Sequence, residues 1–265
     1  MAWLSGAARP GRERRIWRSI GTLSGVLVVL VGAGQTWSGL VRQSAVRPAS
    51  YPSGVTALEL DVQNASVSVT ATDKDHVTVQ QVEHWTVSRP VVTRTVVDNT
   101  LRISARCPQV LGISEPSCSV GLDIGAPLAT AVTLTSSSGD TRIRGLAGDL
   151  SLRSYSGSIQ LDDVSGRIAA RLTSGSISGT NISSAEVQAA VTSGSVDLGF
   201  AAPPRSTALN CSSGSLTVRL PPGSTYRLNV AGPSDVNPAL NDPTSPNSIV
   251  ATCGSGHTGL GYTSG

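Results

Sequence analysis

Ser138-Gly139-Asp140, Ser156-Gly157-Ser158, Ser174-Gly175-Ser176, Ser193-Gly194-Ser195 and Ser213-Gly214-Ser215 repeat one short phrase through the middle of the chain, their glycines 18, 18, 19 and 20 residues apart. Each phrase is followed by a brief alternating run, such as Ser158-Ile159-Gln160-Leu161 or Ser195-Val196-Asp197-Leu198. Self-similarity at such a period is the mark of a solenoid. One coil cannot bury its apolar residues alone. Stacked at the strand spacing of about 4.8 Å, each rung covers the next and pairs its backbone groups. Glycine at the corner permits positive φ and a close approach of neighbouring backbones.

Alignment on the glycines gives four coils: 139–156, 157–174, 175–193 and 194–213. A preceding coil is expected at 121–138, where Leu122-Asp123-Ile124-Gly125 echoes Val196-Asp197-Leu198-Gly199. Alternation assigns Ile143, Ile159, Leu161, Ile177, Val196 and Leu198 to the interior after the turns. It assigns Leu150, Leu152, Ile168, Ala170, Leu172, Val187, Ala189 and Val191 to the interior before them. Their neighbours Arg142, Arg144, Gln160, Arg167, Arg171 and Gln188 point outward.

Upstream, period-two patterns predict further strands: Leu58, Leu60 and Val62, then Val67 and Val69, then Val77 and Val79 after a polar turn at 72–75. Strands at 91–97 and 101–103 flank a turn at Asp98-Asn99. Glu83, His84 and Trp85 break the alternation and are expected at a sheet edge.

The four cysteines fit this frame. Cys107 and Cys118 bracket a loop containing Pro108, Gly112 and Pro116, which predicts a local disulfide. Cys211 and Cys253 each lie three residues before a glycine, in the slot that Leu172 and Val191 fill in earlier coils. Residues 233–246, rich in Pro and Asn, read as a loop inserted into a coil. If they bulge outward, the two cysteines stack one rung apart and can bond. As the one irregular feature on a regular rod, that loop offers Asp235, Asn237, Asn241 and Asp242 as candidate binding residues.

Composition agrees with a thin coil. The 265 residues hold one Phe, four Trp and four Tyr but 28 Gly. Arg9, Arg12, Arg14, Arg15 and Arg18, with Glu13, contribute +4 of the formal charge of +3, leaving −1 for the remainder. The basic balance therefore gives no argument for nucleic-acid binding by the folded part.

Those arginines precede an uncharged stretch, residues 19–41, centred on Leu23 to Val31. As a helix it would cover roughly 34 Å, enough to cross a hydrocarbon core of about 30 Å. Trp17 and Trp37 sit where interfacial aromatics belong, and the arginine bias puts the N-terminus in the cytoplasm. A cleaved signal peptide shares the basic start and apolar stretch, but no clean cleavage site precedes a polar segment. The expected order is a cytoplasmic tail (1–18), a transmembrane helix (19–41), a linker (42–54) and an extracytoplasmic β-solenoid domain (55–265), in a single-pass protein of the cell membrane.

Nothing in the sequence assembles a catalytic, cofactor or metal site. Asp162-Asp163 is the only adjacent acidic pair. His76, His84 and His257 lack metal-ligand spacing, and there is no nucleophile elbow or phosphate-binding loop. The serines build turns. Asn64, Asn181 and Asn210 open glycosylation-type triplets, which read as chance matches. Outward Arg142, Arg153, Arg167 and Arg171 form a column that could meet an acidic polymer, although solvated surface accounts for them more simply.

The turns at 138–140, 156–158, 174–176, 193–195 and 213–215 carry a resemblance. So do Leu216, Val218 and Leu220 before Pro221-Pro222-Gly223, and Leu58 to Val62 followed by Ser66 to Val69. On these the chain resembles the DUF4097-type adhesin family of bacterial envelope proteins over residues 55–262. The resemblance implies an all-β, parallel β-solenoid of coils of about 18–20 residues on the cell surface, with no catalytic motif to carry over. The resulting expectation is a non-enzymatic, membrane-anchored module for adhesion, binding or envelope contact, with an envelope protein or polysaccharide as partner. The alternative is a polysaccharide-active enzyme working on one β-helix face.

Overall fold

Gly157, Gly175, Gly194, Gly214 and Gly256 are register partners in successive parallel strands, so the repeated phrase is a stack of corners. The structure, a computed structural model, describes residues 43–110, 113–114 and 118–263. The expected membrane helix at 19–41 and the basic tail lie outside those residues. No helix among the described residues is long and apolar enough to cross a membrane.

In chain order the strands are β1 (Gln43–Ser50), β2 (Ala57–Val62), β3 (Ala65–Thr72), β4 (Thr78–Trp85), β5 (Val91–Val97), β6 (Thr100–Arg106), the small hairpin of β7 (Gln109–Val110) and β8 (Ile113–Ser114), β9 (Ser119–Pro127), β10 (Ala131–Ser136) and β11 (Thr141–Arg144). Then follow β12 (Leu150–Asp162), β13 (Ile168–Ile182), β14 (Glu186–Phe200) and β15 (Ser206–Leu220). The chain finishes with β16 (Arg227–Ala231), β17 (Ser234–Val236), a short 3-10 turn (Pro238–Leu240) and β18 (Ser248–Tyr262).

The fold is an all-β solenoid whose middle rungs, β12 to β15, are adjacent in both sequence and space. Each is a long strand that turns a corner at its glycine, where φ runs from +115° to +138°. A Cβ on Gly175 would lie 1.9 Å from the carbonyl oxygen of Gly157, and one on Gly214 would lie 1.7 Å from that of Gly194. The corner therefore demands glycine twice over, for its dihedral and for the approach of the next rung. All the inward positions expected from alternation are buried. One interior column runs Leu60, Leu134, Leu152, Ala170, Ala189, Leu209 and Ala251, one residue per rung.

Rung order departs from chain order at both ends. The rung below β12 is β10 with β11; below that lies β2 with β3, and below that β6 with β9. The segment expected as the coil at 121–138 is thus divided between two rungs that are not neighbours. Leu122 does occupy the repeat's slot, opposite Val67, but Gly121 faces Ser66 and is not a corner glycine. That corner position is taken by Ala65, whose carbonyl approaches Gly139. A strand of the right pattern fits any rung of that pattern, so the local echo was real and the adjacency was not.

Antiparallel strands close this end: β5 covers β6 through the hairpin at Asp98-Asn99, and β4 covers β9. Both turn residues have positive φ, as a tight hairpin requires. The alternation does not break at Glu83. β4 runs on through His84 and Trp85, and Gln81 and Glu83 occupy inward slots. Residues 43–50 of the expected linker form β1, which pairs with β4.

At the other end β18 lies between β15 and the pair β16–β17. Residues 233–246 do not bulge from a coil. With β16 they lie across β18 as the terminal layer, and Tyr226 and Leu240 are fully buried there. Apolar β18 has a face to cover, and a Pro-rich segment with few free N–H groups suits an outermost layer.

Candidate functional site

Both predicted disulfides are present. Cys107 and Cys118, with Cα atoms 5.9 Å apart, join the ends of β6 and β9 and close the loop that carries the β7–β8 hairpin. Cys211 and Cys253 are direct register partners, their Cα atoms 4.6 Å apart, and tie β18 to β15.

Two of the four candidate residues near the C-terminus, Asn237 and Asp242, serve their own turns. Asn237 caps the 3-10 turn by accepting from the Ala239 N–H at 3.0 Å. Asp242 accepts from the Thr244 N–H at 2.9 Å and the Thr244 hydroxyl at 2.7 Å. The Thr244 hydroxyl and then its N–H hold the Asp242 carboxyl below its ordinary value. Asn241 forms a bridge to Tyr226, and Asp235 lies on β17 opposite Gly259.

Asp162 and Asp163 are ladder residues. Asp162 accepts from Thr180 Oγ1 and from Arg144 Nε, each at 2.9 Å, and these two hydrogen bonds lower its carboxyl below the usual range. A carboxyl so held is a poor proton donor. Asp163, at φ +55°, accepts from the Asn181 amide of the next rung at 3.0 Å. The three histidines lie on separate strands or turns, and among the described residues no group of three His, Cys, Asp or Glu could hold a metal ion.

Outward polar residues after the corner bond to one another across rungs. Arg142 donates to Gln160 at 2.7 Å, Ser158 to Asp140 at 2.6 Å, and Arg219 to Asp197 at 2.5 Å. Near the closed end, Arg94 donates to Gln81, Gln81 to Glu83, and Arg89 to Glu83 at 2.7 Å. Arg89 also lies 5.0 Å above the Trp85 ring. That network satisfies its own buried carboxylate.

The face before the corner differs. Here an open groove of about 660 Å³ crosses the rungs from Thr135 to Thr252. Its central column, one residue per rung, is Thr135, Arg153, Arg171, Ala190, Asn210 and Thr252. Tyr155 stands at its side, 67% exposed. Ala169, Ala190 and Ala208 lie beside Arg171 and Asn210 and deepen the surface there. No carboxylate lines the groove.

The four arginines expected as one column therefore separate. Arg142 lies beyond the corner, bonded to Gln160, and Arg167 pairs with Glu186 at 3.0 Å. Arg153 and Arg171 alone share a column, in adjacent rungs, and among the described residues neither has an ion-pair or hydrogen-bond partner.

Residues 120–237 match the family model Toastrack DUF4097, which bears out the resemblance read from the turns. Among curated protein sequences none matches this chain. Three solved structures are similar at low identity. A candidate adhesin of Bacteroides fragilis is 10% identical, with a TM-score of 0.47 over 83% of this chain and 97% of that one. A candidate cell adhesion protein of Clostridium sporogenes is 11% identical, with a TM-score of 0.34 over 84% of this chain and 100% of that one. A candidate lipid binding protein of Parabacteroides distasonis is 11% identical, with a TM-score of 0.38 over 82% of this chain and 96% of that one.

Proposed function

We infer that this Toastrack-like chain is a non-enzymatic surface module, held in the cell membrane by residues 19–41 with its N-terminus cytoplasmic, and that its solenoid binds an extended envelope ligand, protein or polysaccharide. One observation carries the reading: the groove across β10, β12 to β15 and β18 is a long polar surface on which Arg153 and Arg171 are not used up in ladders. It is open along its length, so a chain-like ligand could lie across several rungs without threading. The rungs are covalently and sterically fixed by disulfide and glycine corners, which suits a preorganised surface. The rival reading, a polysaccharide-active enzyme, requires a carboxyl free to carry a proton; Asp162 is bonded to Thr180 and Arg144, and Asp163 to Asn181.

The test uses the full chain. In intact cells, external protease should remove the solenoid and leave a short membrane-bound fragment. Purified in detergent, the chain should be retained by isolated envelope material, and Ala190→Trp, which fills the groove floor, should reduce retention at unchanged thermal stability. Retention insensitive to Ala190→Trp would overturn the groove as the binding surface. Turnover of envelope glycan that Asp162→Asn abolishes would replace the reading with the enzymatic one.

A further inference from the structure

We propose that the groove's ligand is an acidic polysaccharide, gripped through its anionic groups by Arg153 and Arg171 and through a sugar ring by Tyr155; this rests on the groove being the binding surface. The two arginines are Cα register partners on parallel strands, so their backbones lie about 4.8 Å apart. Like charges placed directly opposite each other on a sheet repel. Several other outward arginines have a carboxylate partner: Arg144 has Asp162, Arg167 has Glu186 and Arg219 has Asp197. Here the flanking column residues are Thr135 and Ala190, which offer no charge. The unrelieved pair is a fixed cluster of guanidinium donors, whose planar forks match carboxylate or sulfate oxygens.

The rest of the groove selects among anionic polymers. Hydroxyl and amide groups recur at rung spacing, through Thr173, Thr192, Asn210, Ser212 and Thr252. These suit the hydroxyl-rich edge of a glycan. The exposed face of Tyr155, beside the arginines, offers a surface on which a sugar ring can rest. An extended peptide would dock poorly here. β12 to β15 are each paired on both sides, so the face presents no free strand edge for backbone augmentation. A nucleic acid would meet one aromatic platform, Tyr155, in place of the several on which successive bases stack.

The experiment measures binding of the full chain in detergent to polygalacturonate, with dextran as a neutral glycan and poly-glutamate as an acidic peptide. The variants are Arg153→Gln with Arg171→Gln, Tyr155→Ala, Ala190→Trp, and Arg142→Gln as a charge-matched control outside the groove. Thermal unfolding of each verifies folding. The expected result is polygalacturonate binding that weakens with salt, drops at least tenfold in the double arginine variant and severalfold in Tyr155→Ala, and is unchanged in Arg142→Gln. Equal binding of dextran, still blocked by Ala190→Trp, would overturn the anionic class and leave the groove reading standing. Equal binding of poly-glutamate, with Tyr155→Ala silent, would overturn the glycan in favour of an acidic peptide. Binding of polygalacturonate that no groove substitution changes would overturn both.

Discussion

Arg153 and Arg171 face each other across adjacent rungs with no carboxylate between them. Their arrangement costs the folded state some free energy, because like charges directly opposite each other destabilise a sheet. Arg153→Gln or Arg171→Gln is therefore expected to leave the urea midpoint unchanged or raise it slightly, most visibly at low salt. Arg144→Gln, which removes the charged partner of Asp162, is expected to move it the other way. A midpoint lowered by either groove substitution would show that the pair has a structural role.

The corner glycines make a sharper prediction. At Gly194, φ is +137° and an added Cβ would lie 1.8 Å from the Gly175 carbonyl oxygen. At Gly223, φ is +78° with nothing within 4 Å. Gly223→Ala incurs only the left-handed backbone cost, about 1 kcal/mol. Gly194→Ala adds a clash with backbone that can be relieved only by separating two rungs. We expect its destabilisation to exceed that of Gly223→Ala by more than about 2 kcal/mol in chemical denaturation. Similar values at the two sites would mean that the rungs separate easily.

The repeat made the middle of the fold legible because the corners at Gly157, Gly175, Gly194 and Gly214 each impose two independent demands on one residue. Glycine at that position is therefore a reliable ruler, and it placed Cys211 opposite Cys253 from sequence alone. The ends were illegible for a related reason. Alternation says which face of a strand is inward, but any inward face fits any rung. Nothing in Leu122 or Ile124 says that β3 will separate them from β11. The same blindness made the terminal layer at 233–246 look like a loop. Another signal went unread: Gly148 and Gly166 form a second column of close approach, where a Cβ would lie 2.2 and 2.1 Å from the carbonyl oxygens of Thr130 and Gly148. The groove itself emerges only when register separates arginines with partners from those without.

Stability should fall at both ends of the pH range, for opposite reasons. The hydrogen bonds from Thr180 and Arg144 hold the Asp162 carboxyl below 3.8, and those from Thr244 do the same for Asp242. A lowered folded value means the unfolded chain binds the proton more readily. The contribution is complete above the unfolded value near 3.9 and is lost as pH falls through the folded one. Burial raises the Tyr226 phenol above 10.0. Its contribution is complete below that value and is lost as pH rises through the folded one. Asp162→Asn with Asp242→Asn should flatten the acid limb of a urea midpoint profile, and Tyr226→Phe the alkaline limb. An acid limb unchanged in the double variant would assign it to other carboxylates.

The Cys211–Cys253 bond should act on more of the chain than the strand it joins. β18 follows β16 and β17 in the chain, yet it lies inside the stack, between β15 and the layer of β16 and β17. That layer has no ladder with β15, so it is held to the solenoid through β18. Tyr262 at the end of β18 reinforces the dependence: its hydroxyl lies 3.0 Å from the Ser224 carbonyl oxygen and 3.1 Å from that of Ala239, sharing its one hydrogen between them. Departure of β18 must release residues 221–247 as well, exposing Tyr226 and Leu240. The disulfide closes a sequence separation of 42 residues, which the chain-entropy relation converts to about 4 kcal/mol. In Cys211→Ala with Cys253→Ala, hydrogen exchange of peptides from 227–236 and from 248–262 should therefore accelerate together and to the same extent, while peptides from 150–182 keep their protection. Acceleration confined to 248–262 would show that the terminal layer has its own hold on the solenoid. Acceleration spread evenly from 150 onward would show that the rungs unfold as one unit and that the bond stabilises all of them alike.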